Sequence, residues 1–196
     1  ATVFVSGNTN TAISSRAGQN VAGHNNIAVG IDAGGYNQGS ANVAIGQEAG
    51  RLKLDGTKRD DTATATDTDK TNFGGTVAIG QQATVTANRA IAIGSSSGAA
   101  ANRTIASAVD AVAFGTGAKA AAINAIAIGI GAQATANNAI SIGIGNVVSG
   151  ANSGALGDPS HISGAGSYVI GNNNGTAAAP IAADNAGAFG NSNAIS

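Results

Sequence analysis

Cysteine, methionine and tryptophan are absent from this chain of 196 residues, and it has only two prolines, two tyrosines and four phenylalanines. Without cysteine there are no disulfide staples and no thiolate metal site. Without bulky side chains there is little to fill a broad globular core, whereas small aliphatic residues suit a narrow roll. Charged residues make up 10% of the chain and the formal net charge is -1. There is therefore no global basic field to invite nucleic acid, and no polyanionic tail. No apolar run approaches the roughly 18 residues of a membrane-spanning helix, and no basic stretch followed by an apolar one opens the chain as a secretory signal would.

What is abundant is glycine, with 30 residues, and small apolar side chains, and they are ordered. Scattered, such a composition would read as low complexity. Instead the phrase Ala125-Ile126-Ala127-Ile128-Gly129 recurs as Asn26-Ile27-Ala28-Val29-Gly30, Asn42-Val43-Ala44-Ile45-Gly46, Thr76-Val77-Ala78-Ile79-Gly80, Ala90-Ile91-Ala92-Ile93-Gly94, Ala111-Val112-Ala113-Phe114-Gly115 and Ala139-Ile140-Ser141-Ile142-Gly143. Looser copies end at Gly157, Gly171 and Gly190. Gly115, Gly129, Gly143, Gly157 and Gly171 lie 14 residues apart, as do Gly80 and Gly94. A period of 14 is too short for a helical hairpin and suits one coil of a β-solenoid, with two short strands and two tight turns. The fold class is therefore all-β, a β-roll of about ten 14-residue coils.

The two halves of a coil differ. Ala125 to Ile128 alternates small and large apolar side chains and has no polar face, so that strand needs cover on both sides. Ala132-Gln133-Ala134-Thr135 alternates apolar and polar, as does Ala83-Thr84-Val85-Thr86, which is the pattern of a strand with one face in water. A roll two strands thick can cover only one face of its apolar strand, so the other requires another chain. The expectation places Ile45, Ile79, Ile93, Phe114, Ile128 and Ile142 in the roll's own core, and the small residues Ala78, Ala92, Ala113 and Ala127 against neighbouring chains.

Residues 1–25 read as irregular first coils, and 26–196 as head repeats with insertions at 51–75, 95–110 and 172–186. The segment 51–75 carries five of the nine basic and five of the ten acidic residues. It reads as a solvated loop, or as a ligand-contact loop in which Arg51, Lys53, Lys58, Arg59 and Lys70 make the contacts. Asn88, Asn124, Asn137, Asn138 and Asn152 recur near the second turn, where asparagine tolerates left-handed backbone.

Several chemical motifs dissolve on inspection. Gly115-Thr116-Gly117-Ala118-Lys119-Ala120 has the form of a dinucleotide fingerprint, but a short strand, not a helix, is expected to follow it. Asp158-Pro159-Ser160-His161 gathers the residue types of a triad, yet adjacent residues rarely aim at one another and Asp-Pro-Ser reads as a turn. His24 has no spaced partner for a metal. The expectation is a chain with no catalytic residue, metal or cofactor. Thr62, Thr64, Thr66 and Thr68 form a short threonine alternation outside the coil period. Asn102-Arg103-Thr104 and Asn174-Gly175-Thr176 are formal glycosylation sequons, which in a bacterial protein are normally unmodified.

The phrases ending at Gly46, Gly94 and Gly129, each followed by a small-residue half-coil, resemble the head repeats of trimeric autotransporter adhesins of the YadA type. The resemblance covers about residues 26–196. It implies a left-handed parallel β-roll, a homotrimer with inner strands towards the threefold axis, and display on the outer membrane of a Gram-negative bacterium. It also implies attachment to extracellular matrix proteins such as collagen, fibronectin or laminin, to cells, or to abiotic surfaces, without enzymatic activity or insertion of this part into the membrane. The lack of neck, stalk and anchor points to an excised head. Alternatives are a trimeric phage or appendage fibre segment and an ice- or carbohydrate-binding solenoid.

Overall fold

The computed structural model describes residues 7–19, 21–35, 37–50, 73–95 and 102–195. Every strand in it is short and every pairing is parallel. The long-strand column consists of β1 (Thr11–Ile13), β2 (Ile27–Val29), β3 (Val43–Ile45), β4 (Val77–Ile79), β6 (Ile91–Ile93), β8 (Val112–Phe114), β10 (Ile126–Ile128), β12 (Ile140–Ile142), β14 (Gly154–Leu156), β16 (Tyr168–Ile170) and β17 (Gly187–Phe189). They stack in that order into one 11-stranded sheet. The other side of the roll is a six-stranded sheet of two-residue strands, β5 (Thr84–Val85), β7 (Ile105–Ala106), β9 (Lys119–Ala120), β11 (Gln133–Ala134), β13 (Val147–Val148) and β15 (His161–Ile162). This is the parallel β-solenoid that the period predicts, and no helix occurs among the described residues.

Register follows the repeat without slippage: Ile126 lies beside Val112 and Ile140, and Ala127 beside Ala113 and Ser141. The closing glycines explain themselves in this stack. Gly143 has φ +126°, and a Cβ there would lie 1.8 Å from the carbonyl oxygen of Gly157 in the next coil. Left-handed backbone and a bare Cα are both required, so glycine alone serves. At the second turn the left-handed column holds Asn124, Asn138 and Asn152, at φ 57°, 58° and 56°. Asn124 Nδ2 donates to Asn138 Oδ1, and Asn138 Nδ2 to Asn152 Oδ1, each at 2.9 Å. Asn88 and Asn137 instead accept backbone N–H groups of the preceding coil. The asparagines thus do the turn work expected of them, coil upon coil.

The direction of the long strands reverses the expectation. Ala78, Ala92, Ala113 and Ala127 are fully buried inside a single chain, where they share one core with Val85, Ala106, Ala120 and Ala134 from the short sheet. Ile45, Phe114 and Ile128 point outward, exposed by 38%, 50% and 36%, and Ile79, Ile93 and Ile142 stand half-buried in the same row. The alanines do allow close approach of two backbones, but both backbones belong to one chain. A roll with three- and two-residue strands encloses too narrow a gap for facing isoleucines. The short sheet keeps the expected direction at β11, with Ala132 and Ala134 buried and Gln133 partly exposed, but Thr84, expected in water, is buried beside Val85 with its hydroxyl donating to Gln82 O at 3.0 Å.

Insertions leave the stack without breaking it. β3 pairs directly with β4 across the first, Val43 beside Val77. Residues 51–72 of it, with Arg51, Lys53, Lys58, Arg59 and Lys70 and the threonine alternation, lie outside the described residues. In the second, β6 pairs with β8, and β7 is an ordinary strand, so the extra residues precede Thr104. In the third, Asn174 bridges to Ser160 and Ile181 to Ile162, which confines the excursion to the residues between Asn174 and Ile181. At the other end, the stretch that reads as irregular stacks in full register from Thr11, as a 16-residue coil.

Candidate assembly and contact surfaces

The solenoid has two broad outer faces of opposite character. On the long sheet, the third residue of every strand points outward, and in all eleven it is large and apolar, from Ile13 through Phe114, Ile128 and Leu156 to Phe189. The first residue of each strand forms a parallel outward row of Ile and Val, interrupted by Thr11, Gly154, Tyr168 and Gly187. With about 4.8 Å between strands, the double row runs on the order of 50 Å. Phe114, Leu156, Tyr168 and Phe189 are half to largely exposed, at 50%, 49%, 53% and 84%. A monomer in water rarely presents a contiguous apolar face of that length.

The short sheet is polar outside. Ile105, Lys119, Gln133, Val147 and His161 follow one another in register and are partly exposed, with Thr84 at the end of the row buried, and two residues further along each coil come Thr86, Ser107, Ala121, Thr135, Ser149 and Ser163. Five of those last six carry hydroxyls. Near the C-terminal end Ala177 and Pro180 overhang this face and close a shallow groove of about 300 Å³ with Val147, Ser149, His161, Ile162 and Ser163.

The charged residues that the structure describes are mostly committed to stacking. Arg89 and Asp110 occupy the left-handed position that asparagine fills in later coils, at φ 57° and 60°. They form a forked ion pair, with Nε to Oδ1 at 2.6 Å and Nη2 to Oδ2 at 2.7 Å. The hydrogen bond from Arg89 holds the Asp110 carboxyl below the usual range, against an opposing effect of desolvation that exceeds the added attraction of the Arg89 charge. Arg16 and Asp32 make the same fork in the first turn, 16 residues apart.

No catalytic constellation assembles from the sequence motifs. Asp158 Oδ1 accepts the backbone N–H of Ile144, Ser160 is buried with its hydroxyl donating to Gly171 O at 3.4 Å, and His161 stands on the short face. His24 Nδ1 accepts the Asn8 N–H at 2.9 Å, at the far end of the stack. The fingerprint-like Gly115–Ala120 stretch runs from a turn into β9. Among the described residues, no three His, Asp or Glu side chains cluster as metal ligands. Inside the N-terminal coils a cavity of about 30 Å³ lies beside Asn26, Asn37 and Asn42, room for a water and little more.

Sequence reasoning found the polar short face but put the wrong side chains on the long one. The outward rows had a signal, since the isoleucines exceed in volume what a narrow roll can enclose, but that volume argument needs the thickness of the roll.

A stack of parallel coils, each with one small-residue core strand at fixed register, defines a repeat protein of the parallel β-solenoid class. Within that class, residues 74–97, 106–132 and 122–146 match the family model of the YadA head domain repeat. The coil repeat in those residues is thus similar to the YadA head repeat, and the parallel β-solenoid is consistent with such a head. No curated protein and no solved structure matches the chain. No helix of the described residues is long and apolar enough to cross a membrane.

Proposed function

We propose that this chain is a non-enzymatic head of a trimeric bacterial surface adhesin. Its three copies set the outer faces of their long sheets towards a common axis, and the solenoids wind left-handedly, as in YadA-like heads. The observation that carries this reading is the unbroken outward row from Ile13 to Phe189, whose apolar surface only further protein can remove from water. A second copy fits because the face is self-complementary in period: row meets row at the same strand spacing.

With the long faces covered, the short sheets face outward. Their hydroxyls, Lys119, Gln133 and His161 then form a repetitive polar surface for extracellular matrix proteins such as collagen, fibronectin or laminin, for cells, or for abiotic surfaces. Weak contacts repeated along each chain and across three chains supply avidity without a pocket. The insertion cations Arg51, Lys53, Lys58, Arg59 and Lys70 are further candidate ligand contacts, chosen on their charge in the sequence. Display on the outer membrane of a Gram-negative bacterium follows from the same reading.

Light scattering after size exclusion tests the assembly. The expected mass is three times that of one chain, falling to that of a monomer in the double variant Ile128→Asp, Ile142→Asp. A folded wild-type monomer with β-type circular dichroism would sink the proposal. Adhesion to collagen- and fibronectin-coated plates tests the contact face: Lys119→Glu with Gln133→Glu should weaken it while leaving the trimer intact.

A further inference from the structure

The two Asn-x-Thr sequons, at Asn102 and Asn174, are treated oppositely by the fold. Asn174 is completely buried. Its Nδ2 donates to Gly190 O at 2.8 Å, and its Oδ1 accepts from Asn193 N–H at 2.9 Å and from Asn193 Nδ2 at 2.8 Å. A sugar ring on that nitrogen has no room, so a glycan at Asn174 and the folded C-terminal coils exclude each other.

Asn102 is exposed, and its side chain makes no hydrogen bond among the described residues. Because Ile105 pairs with Lys119, Asn102 stands in register with the exposed Thr116, on the turn between the two sheets. A sugar there adds bulk without lying across either sheet. The third residue of the sequon behaves differently. Thr104 is fully buried, and its Oγ1 donates to Gly115 O at 2.7 Å. The sequon is defined by that hydroxyl as much as by the amide, and a transferase has to reach both.

We propose that Asn102 is an N-glycosyl acceptor, open to a transferase that meets the chain before Thr104 packs, and that Asn174 is closed to modification in any molecule that folds. In the transfer, Asn102 Nδ2 attacks the anomeric carbon of a nucleoside-diphosphate sugar. The N–C bond forms, the C–O bond to the diphosphate breaks with its electron pair leaving on the nucleoside diphosphate, and one amide proton is released. No oxidant or reductant takes part. This inference does not depend on the adhesin reading, since it rests on the burial of the two sequons alone.

The test is co-expression of the full chain with an N-glycosyltransferase that uses a nucleoside-diphosphate glucose, followed by peptide mass mapping of the folded fraction. One hexose is expected on the Asn102 peptide, none on the Asn174 peptide, and none at all in Asn102→Gln. Chain folded first and then given enzyme and donor should stay unmodified, whereas urea-unfolded chain, diluted into a urea concentration that the enzyme tolerates, should take hexose at both sequons. Hexose on Asn174 in the folded fraction overturns the proposal. So does a bare Asn102 after co-expression when the same enzyme labels the unfolded chain. Labelling of Asn102 in pre-folded protein as fast as in unfolded chain overturns the required order of modification and folding.

Discussion

Replacing Gly143 by alanine tests the stacking argument at its tightest point. The new Cβ would lie 1.8 Å from Gly157 O and 2.6 Å from Asp158 Oδ1, distances that real Cβ atoms essentially never show. Relief requires the corner of one coil to part from the next by more than about 1 Å, against a strand spacing of about 4.8 Å. That movement pulls on two backbone hydrogen bonds, Gly143 N–H to Ile128 O at 2.8 Å and Gly157 N–H to Ile142 O at 3.0 Å. Backbone strain at φ +126° costs about 1–3 kcal/mol. The two weakened bonds add about 1 kcal/mol each. The expected destabilisation is about 3–5 kcal/mol, by the sum of those two effects. Gly131 is the internal control: it too is left-handed, at φ +67°, but a Cβ there meets nothing within 4 Å. Gly131→Ala should cost only the left-handed penalty of about 1–2 kcal/mol. Urea unfolding followed by circular dichroism, at one protein concentration because assembly shifts the midpoint, compares the two variants. Equal midpoints would show that coil stacking does not select these glycines.

The inverted orientation of the long strand predicts that Ala127→Leu overpacks the roll and costs about 1–3 kcal/mol or more in urea unfolding. Ile128→Ser should leave the fold of the single chain in place and act on assembly, and the opposite ranking would restore the isoleucines to the core. Asn138→Leu removes both ladder bonds and forces a branched side chain into φ 58°, so a loss of about 1–2 kcal/mol is expected, with Asn138→Gly recovering the backbone part. The Asp110 carboxyl, held below its ordinary value of 3.8 by Arg89, contributes stability that is fully present above that value and is lost as pH falls from it towards the lower folded value. Asp110→Asn should flatten that part of a stability-against-pH curve below about pH 4, and an unchanged curve would remove the pair from any role in acid sensitivity.

Much of the fold could be read from the sequence because a solenoid is built from local rules. The spacing of Gly115, Gly129 and Gly143 gave the coil length, and each glycine proved to need both its positive φ and its missing Cβ. Asn124, Asn138 and Asn152 gave the second turn for the same kind of reason, a backbone requirement met within a few residues. Ala132-Gln133-Ala134 was legible as a one-sided strand because its two faces differ in polarity. Ala125 to Ile128 was not, because its two faces differ only in size. The two candidate contact regions differ in legibility: the charged insertion 51–75 stands out in the sequence, while the hydroxyl row from Thr86 to Ser163 comes from residues far apart in the chain, each unremarkable alone.

The sequence by itself determined the period, the parallel register and the turn chemistry, since each depends on side chains a few residues apart and on the steric limits of one backbone. Only the tertiary structure decided which face of the long strand turns inward. That choice depends on the gap between two sheets whose strands alternate along the chain. Once closed, the gap admits Ala127 and Ala134 and leaves Ile128 outside. It was also the stack, not the motif, that separated the sequons, burying Asn174 between coils and leaving Asn102 at a corner in water.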